Sequence, residues 1–168
     1  KDLHQEGDGL WTFEYEHAPE KTNELSLEQQ MSVKVAGDGQ QLCILTYGNG
    51  YYLSRQAQAT LEQQGINCRV VDLRWLAPLD EQGIVEQVKA CDKVLIVDEC
   101  RQTGSISEAL MALISEQCPE KSAHEVQRLC AHDSFIPLGS AAYHVLPSTE
   151  DIIEMASAMC ATSTRKIS

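Results

Sequence analysis

Few stretches of this chain combine residue types and spacing that suit chemistry. The most suggestive is Gly48-Asn49-Gly50, which follows an apolar run and precedes a helical pattern, with Asp72 ending the next apolar run. That arrangement mimics a dinucleotide fingerprint, in which glycines let the backbone approach a diphosphate at a helix N-terminus. The third glycine should stand at position 53, and Leu53 is there instead. Its side chain obstructs the close helix–strand packing that the third glycine permits, so a tight turn is the better reading. His132-Asp133 looks like part of a proton relay. A hydrolase also needs a serine on a strand-to-helix elbow, and the chain has no Gly-x-Ser-x-Gly; Gly104-Ser105-Ile106-Ser107 does not match it. Asp133 therefore reads as a loop residue that caps backbone groups. The five histidines are scattered without metal-ligand spacing. The seven cysteines are odd in number and contain no CxxC pair. Cys43, Cys68 and Cys130 lie inside apolar runs, as buried reduced thiols do. Reduced thiols fit a reducing compartment, the cytoplasm or, in a eukaryote, the mitochondrial matrix.

Asp98-Glu99-Cys100-Arg101 is a different kind of cluster. It follows the apolar run Val94–Val97, where a strand of a parallel sheet gives way to a loop and then a helix. Ligands and partners of open α/β sheets meet that edge. Two readings stand side by side: a local ion pair, or an interface contact. In the second, Asp98, Glu99 and Arg101 face a partner and not the interior of the domain.

The elements that position these residues follow from periodicity. Ser32–Ala36 alternates, Gly37-Asp38-Gly39 is a turn, and Gln41–Thr46 is a continuous apolar strand, together a hairpin-like start. Tyr51–Gln64 reads as a helix with Leu53, Ala57, Thr60 and Leu61 on one face, ended by Gly65. Cys68–Leu73 is a second apolar strand. Asp80 N-caps a helix that turns Ile84, Val85 and Val88 inward. Lys93–Val97 is a third strand, and Ser105–Glu116 a helix with Ile106, Leu110, Leu113 and Ile114 inside. Glu125–Cys130 is another strand. Ser148 and Asp151 form an acidic variant of the capping box at the last helix. Strands alternating with helices imply a mostly parallel sheet covered on both faces. The expected fold is α/β: a three-layer α/β/α sandwich with a five-stranded sheet containing one antiparallel strand.

Composition bounds the rest. Lysine and arginine total 13 against 25 acids, a net charge of −12, which repels nucleic acid and anionic membranes and suits a basic protein partner. No apolar run approaches the roughly 18 residues of a membrane span. Residues 1–30 are polar and acidic, with Trp11, Phe13 and Tyr15 among them. They read either as an extended linker from a preceding domain, whose aromatics dock on a neighbour, or as disorder. The folded domain spans 31–160 and folds on its own from about Met31; 161–168 is a disordered tail. The chain begins at Lys1 without Met, which reads as a piece of a longer product.

Several segments together carry a resemblance. They are Leu45-Thr46-Tyr47-Gly48; Val71-Asp72-Leu73-Arg74-Trp75-Leu76-Ala77-Pro78-Leu79-Asp80; Val94–Glu99 followed by Arg101, Thr103 and Gly104; Phe135-Ile136-Pro137; and Leu146-Pro147-Ser148 followed by Glu150, Asp151 and Ile152. In this order and spacing the chain resembles the C-terminal domain of the transketolase superfamily, over about Met31 to Ala158. The likeness is strongest to the beta subunit of the pyruvate and branched-chain 2-oxoacid dehydrogenases. Departures are Ser105, where a second glycine is usual, Ala131-His132-Asp133 in place of Gly-x-Asp, and the longer, more acidic linker. The resemblance implies a parent enzyme that oxidatively decarboxylates a 2-oxoacid and passes the acyl group to a lipoyl arm. Thiamine diphosphate and Mg²⁺ would be bound by other domains, and this domain would hold no catalytic, cofactor or metal residue. Gly37-Asp38-Gly39, set in a turn, does not resemble the family's metal motif in context. Implied partners are a second subunit, in a homodimer or heterotetramer, and the lipoyl acyltransferase core. The interface candidates are Asp72, Arg74, Asp98, Glu99, Arg101, Gly104 and Asp133. Rival readings are the same domain in a transketolase or deoxyxylulose-phosphate synthase, a stand-alone nucleotide-binding module, and a pure interaction module.

Overall fold

The computed structural model describes residues 31–161. The expectations for residues 1–30, and for the tail beyond Ala161, lie outside the described residues. Strand β1 (Lys34–Ala36) is followed by β2 (Leu42–Thr46), α1 (Asn49–Gln63), β3 (Cys68–Asp72), α2 (Glu81–Lys89), β4 (Lys93–Arg101), α3 (Ile106–Gln117), β5 (Val126–Ala131), a 3-10 turn (Gly139–His144) and α4 (Thr149–Ala161). The sheet order is β1-β3-β2-β4-β5. Neighbours among β3, β2, β4 and β5 are parallel, and β1 alone is antiparallel, against β3.

The period of two sorts each strand into two cores. Cys43, Leu45, Val71, Val94 and Ile96 face one way and pack on Ile84 and Val88 of α2 and Leu110, Leu113 and Ile114 of α3. Leu42, Ile44, Val70, Leu95 and Val97 face the other way and pack on Leu53, Ala57 and Leu61 of α1 and Ile152, Ala156 and Met159 of α4. Both cores are closed by helices, which gives the three-layer sandwich. No described helix is long and apolar enough to cross a membrane.

Two details differ from the sequence reading. The hairpin between β1 and β2 does not form: β1 pairs with β3, in register Lys34↔Asp72 and Ala36↔Val70. β2 has β3 on one side and β4 on the other, so no place beside it is left for β1. The Gly37–Gln41 link instead passes across the start of β3. Gly39 lies so close there that a Cβ would fall 2.3 Å from the Cys68 backbone nitrogen. Arg69 fixes the link by donating from Nε to the Gly39 carbonyl at 2.8 Å and from Nη2 to the Asp38 carbonyl at 3.1 Å. The second difference is the length of β4. It runs to Arg101, carried by pairing of Asp98 with Cys130 and of Arg101 with Ala131, with a bulge between.

The expected caps are present. Asp80 accepts from the Gly83 amide at 2.9 Å through one oxygen and from the Val33 amide at 3.0 Å through the other, so one side chain both starts α2 and pins β1. Ser148 and Asp151 cap each other's amides at 3.1 and 2.9 Å. All seven thiols are free; Cys43, Cys68, Cys91 and Cys118 are buried, Cys100 is exposed, and Cys130, expected inside, is half-buried because β5 is an edge strand. Burial pushes the Cys68 thiol up to about 12.

Candidate functional site

The four parallel strands end at one edge, where the loops 47–48, 73–80, 102–105 and 132–148 gather. All seven interface candidates lie there, and the structure gives them different roles. Asp98 is fully buried. Its Oδ1 accepts from the Tyr47 hydroxyl at 2.6 Å and from the Cys100 amide at 2.8 Å, and its Oδ2 accepts from the Ser107 amide at 2.9 Å. The expectation that Asp98 faces a partner is therefore corrected. With β4 continuing past it, the side chain points inward and joins the β2 loop, β4 and the start of α3. Burying a carboxylate costs several kcal/mol unless its lone pairs are matched, and three donors match them here. Burial, and then donation to Asp98, push the Tyr47 phenol well above its usual range, so it stays a donor.

Ser107 extends this network. Its hydroxyl lies 2.7 Å from that of Ser105 and 3.2 Å from Arg128 Nη1, which reaches over from β5. The sequence names Tyr47 and Ser107 but not their partnership, which depends on Asp98 pointing inward.

Glu99 is half-buried beside the start of α1. Burial raises its carboxyl, the Asn49 backbone N–H partly offsets that, and Asp98 raises it further. Gly48 has φ 55° and ψ −131°, backbone that essentially only glycine adopts, and a Cβ there would sit 2.7 Å from Glu99 Oε1. Gly50 is excluded from substitution by Thr46, whose Oγ1 would lie 2.4 Å from a Cβ. The glycine pair thus serves packing, and Leu53 is buried on the inner face of α1. A protein carboxylate stands where a dinucleotide would need its diphosphate, which disfavours the nucleotide-binding reading.

The remaining candidates organise loops. Asp72 Oδ1 accepts from the Arg74 amide at 3.1 Å, and Arg74 holds φ 59°. Arg101 Nε donates to the Thr103 carbonyl at 3.0 Å. Asp133 accepts from both the amide and the hydroxyl of Thr103, at 2.8 and 2.6 Å, tying the loop after β5 to the loop after β4. Those two bonds hold its carboxyl below the usual range. Gly104 turns the chain at φ 72° into α3 and donates to Glu108 at 3.0 Å.

Around these polar ties the edge is apolar. Phe135 is 98% exposed and Leu138 95%, with Ile136, Tyr143, Trp75 and Leu76 also open. Lone exposed apolar residues are ordinary, but several large ones on the loops of one edge make an apolar surface that is larger than single exposures produce. The sequence signal was the run Phe135-Ile136-Pro137-Leu138, which belongs to no strand or helix pattern.

Residues 31–152 match the family described as transketolase, C-terminal domain. The chain belongs to this family. As a transketolase C-terminal domain it is 37% identical over 99 residues to the 2-oxoisovalerate dehydrogenase subunit beta of Bacillus subtilis, covering 59% of this chain and 30% of that one. It is 32% identical over 122 residues to the pyruvate dehydrogenase E1 component subunit beta of the same organism, covering 73% and 38%. The chain thus spans about a third of the length of these relatives. Among solved structures, one described as a split-gene transketolase, an inactive beta4 tetramer, superposes with a TM-score of 0.67 over 77% of this chain and 42% of that one, at 22% identity. That likeness is one of fold.

Proposed function

We propose that this chain is the C-terminal assembly domain of the decarboxylating component of a 2-oxoacid dehydrogenase. The observation that carries the reading is the apolar loop surface at the carboxyl ends of the strands, in a chain whose relatives are beta subunits of such enzymes. The parent protein oxidatively decarboxylates a 2-oxoacid with thiamine diphosphate and transfers the acyl group to a lipoyl arm. The residues described here do not fit the cofactor. No three His, Cys, Asp or Glu side chains converge among them, and Asp38 stands in the link fixed by Arg69. The cofactor belongs to other parts of the parent. The work of this domain is to present rigid loops to a second subunit, in a homodimer or heterotetramer, and to the lipoyl acyltransferase core.

The charge of −12 suits a basic docking module on the acyltransferase. Such a field mainly speeds encounter, and it fades as the Debye length falls from about 10 Å at 0.1 M salt to about 3 Å at 1 M. Surface plasmon resonance of the parent enzyme against its acyltransferase across a salt series tests this. Binding should be fast at low salt and lose association rate steeply as salt rises. Absent binding at low salt overturns the docking role, and an association rate indifferent to salt overturns the charge-steered mechanism.

A further inference from the structure

A cleft of about 510 Å³ opens between the start of β1, the end of β3 and the first turn of α1, lined by Lys34, Tyr47, Tyr51, Tyr52, Asp72 and Arg74. Tyr51 and Tyr52 meet edge to face at 5.8 Å. Arg55 lies against Tyr51, its guanidinium 6.0 Å from the ring centre. A domain that is acidic overall therefore carries here a cluster of aromatic rings with Lys34, Arg55 and Arg74 around them and Asp72 the one acid in the lining. Rings beside cations suit a segment that brings its own aromatics flanked by carboxylates.

The chain holds such a segment. Residues 1–30 contain eight acids against two lysines, and Trp11, Phe13 and Tyr15 alternate with Glu14 and Glu16 in the run Trp11–Glu16. This segment joins the domain at the rim of the same cleft. Ser32, at the start of the described chain, offers its carbonyl to Arg74 Nη1 at 3.5 Å, and Lys34 lies two residues on. The 20 or so residues between Trp11 and Ser32 reach up to roughly 70 Å when extended, far more than the span needed. A tether of that length gives an effective concentration on the order of millimolar, so weak contacts suffice.

We infer that the Trp11–Glu16 segment of this same chain occupies the Lys34–Tyr52–Arg74 cleft, its rings against the tyrosines and its carboxylates toward the cations. The contact anchors whatever precedes this domain at a fixed place on its edge. It stands independently of the assembly role proposed above.

The full 168-residue chain tests it, because Trp11 and Trp75 are its two tryptophans. In Trp75→Phe the fluorescence reports on Trp11 alone. Acrylamide should quench it severalfold less than a free tryptophan derivative, independently of chain concentration. Lys34→Glu with Arg74→Glu, both at exposed positions, should restore ready quenching while circular dichroism stays unchanged. In the unaltered chain a zero-length carbodiimide should join Glu14 or Glu16 to Lys34 within one monomer. Ready quenching in Trp75→Phe overturns the inference, and protection that survives the charge reversals places the segment elsewhere and overturns it too. Protection that rises with chain concentration identifies a second copy as the occupant, against the inference. A monomer without the cross-link counts against it even where a variant fails to fold.

Discussion

Replacing Asp98 with alanine separates the inward role of this carboxylate from the partner-facing role that its position at the end of an apolar run suggests. The substitution strands three donors: the Ser107 amide, which is buried, and the Cys100 amide and Tyr47 hydroxyl, which are part-buried. A buried donor left without a partner costs about 1–3 kcal/mol, and a part-buried one less because water reaches it. One full and two partial penalties, with the small cavity left behind, come to about 3–4 kcal/mol. Relief from burying a charge offsets part of this and is included in that range. For a domain of this size such a loss lowers the melting temperature by roughly 10 °C. Asp98→Asn should fall between the two, because its amide nitrogen turns a donor toward backbone N–H groups while one oxygen still accepts. Urea unfolding of the chain and its variants measures the effect, with the slope in urea unchanged. A loss below about 0.5 kcal/mol for Asp98→Ala would show that these three donors do not depend on the Asp98 carboxylate.

Two further perturbations follow from the same edge. Burial and Asp98 raise the Glu99 carboxyl, so the folded chain keeps that proton to higher pH than the unfolded chain does. Its contribution to stability is then greatest when Glu99 is protonated and declines as pH rises from the ordinary carboxylate value, about 4.3, through the folded value. Glu99→Gln should abolish that decline, so the difference between the two stability curves falls as pH rises through this window, and identical slopes would contradict it. Asp133 behaves oppositely: its lowered value means its contribution is present above the ordinary carboxylate range and is lost as pH falls through the folded value. Thr103→Val removes the hydroxyl that donates at 2.6 Å, so the Asp133 carboxyl followed by carbon-detected NMR should titrate closer to its ordinary value; an unmoved midpoint would show that the hydroxyl does not hold it down.

Which parts of this fold are legible in sequence follows from the range of the interactions involved. The strands β2, β3 and β4 are short apolar runs between turn residues, and the caps at Asp80 and Ser148 are local, so periodicity and capping rules reach them. The neighbour of β1 is not local. Nothing in Lys34–Ala36 says that β3 will stand beside it, because that depends on β2 being flanked by β3 and β4 and on the path of the link past Arg69 and Gly39. The C-terminal edge is legible as a place, since parallel strands must end together, but not as a set of roles. Asp98 and Glu99 are adjacent and chemically alike; the pleat sends one into the fold toward Ser107 and the other to the start of α1. The loop Phe135–Leu138 escapes for the opposite reason. Its residues look like core, and only their exposure shows that no described part of the fold buries them.

Sedimentation velocity of the full-length parent carrying Phe135→Ser and Leu138→Ser tests whether the exposed loops at this edge form an assembly surface. Both side chains are almost wholly exposed, so the 168-residue chain should lose little stability, while the parent should shift from its native oligomer to dissociated subunits at micromolar concentration. A parent that keeps its oligomeric state and its acyltransferase binding with both substitutions in place would show that these loops are not an assembly surface.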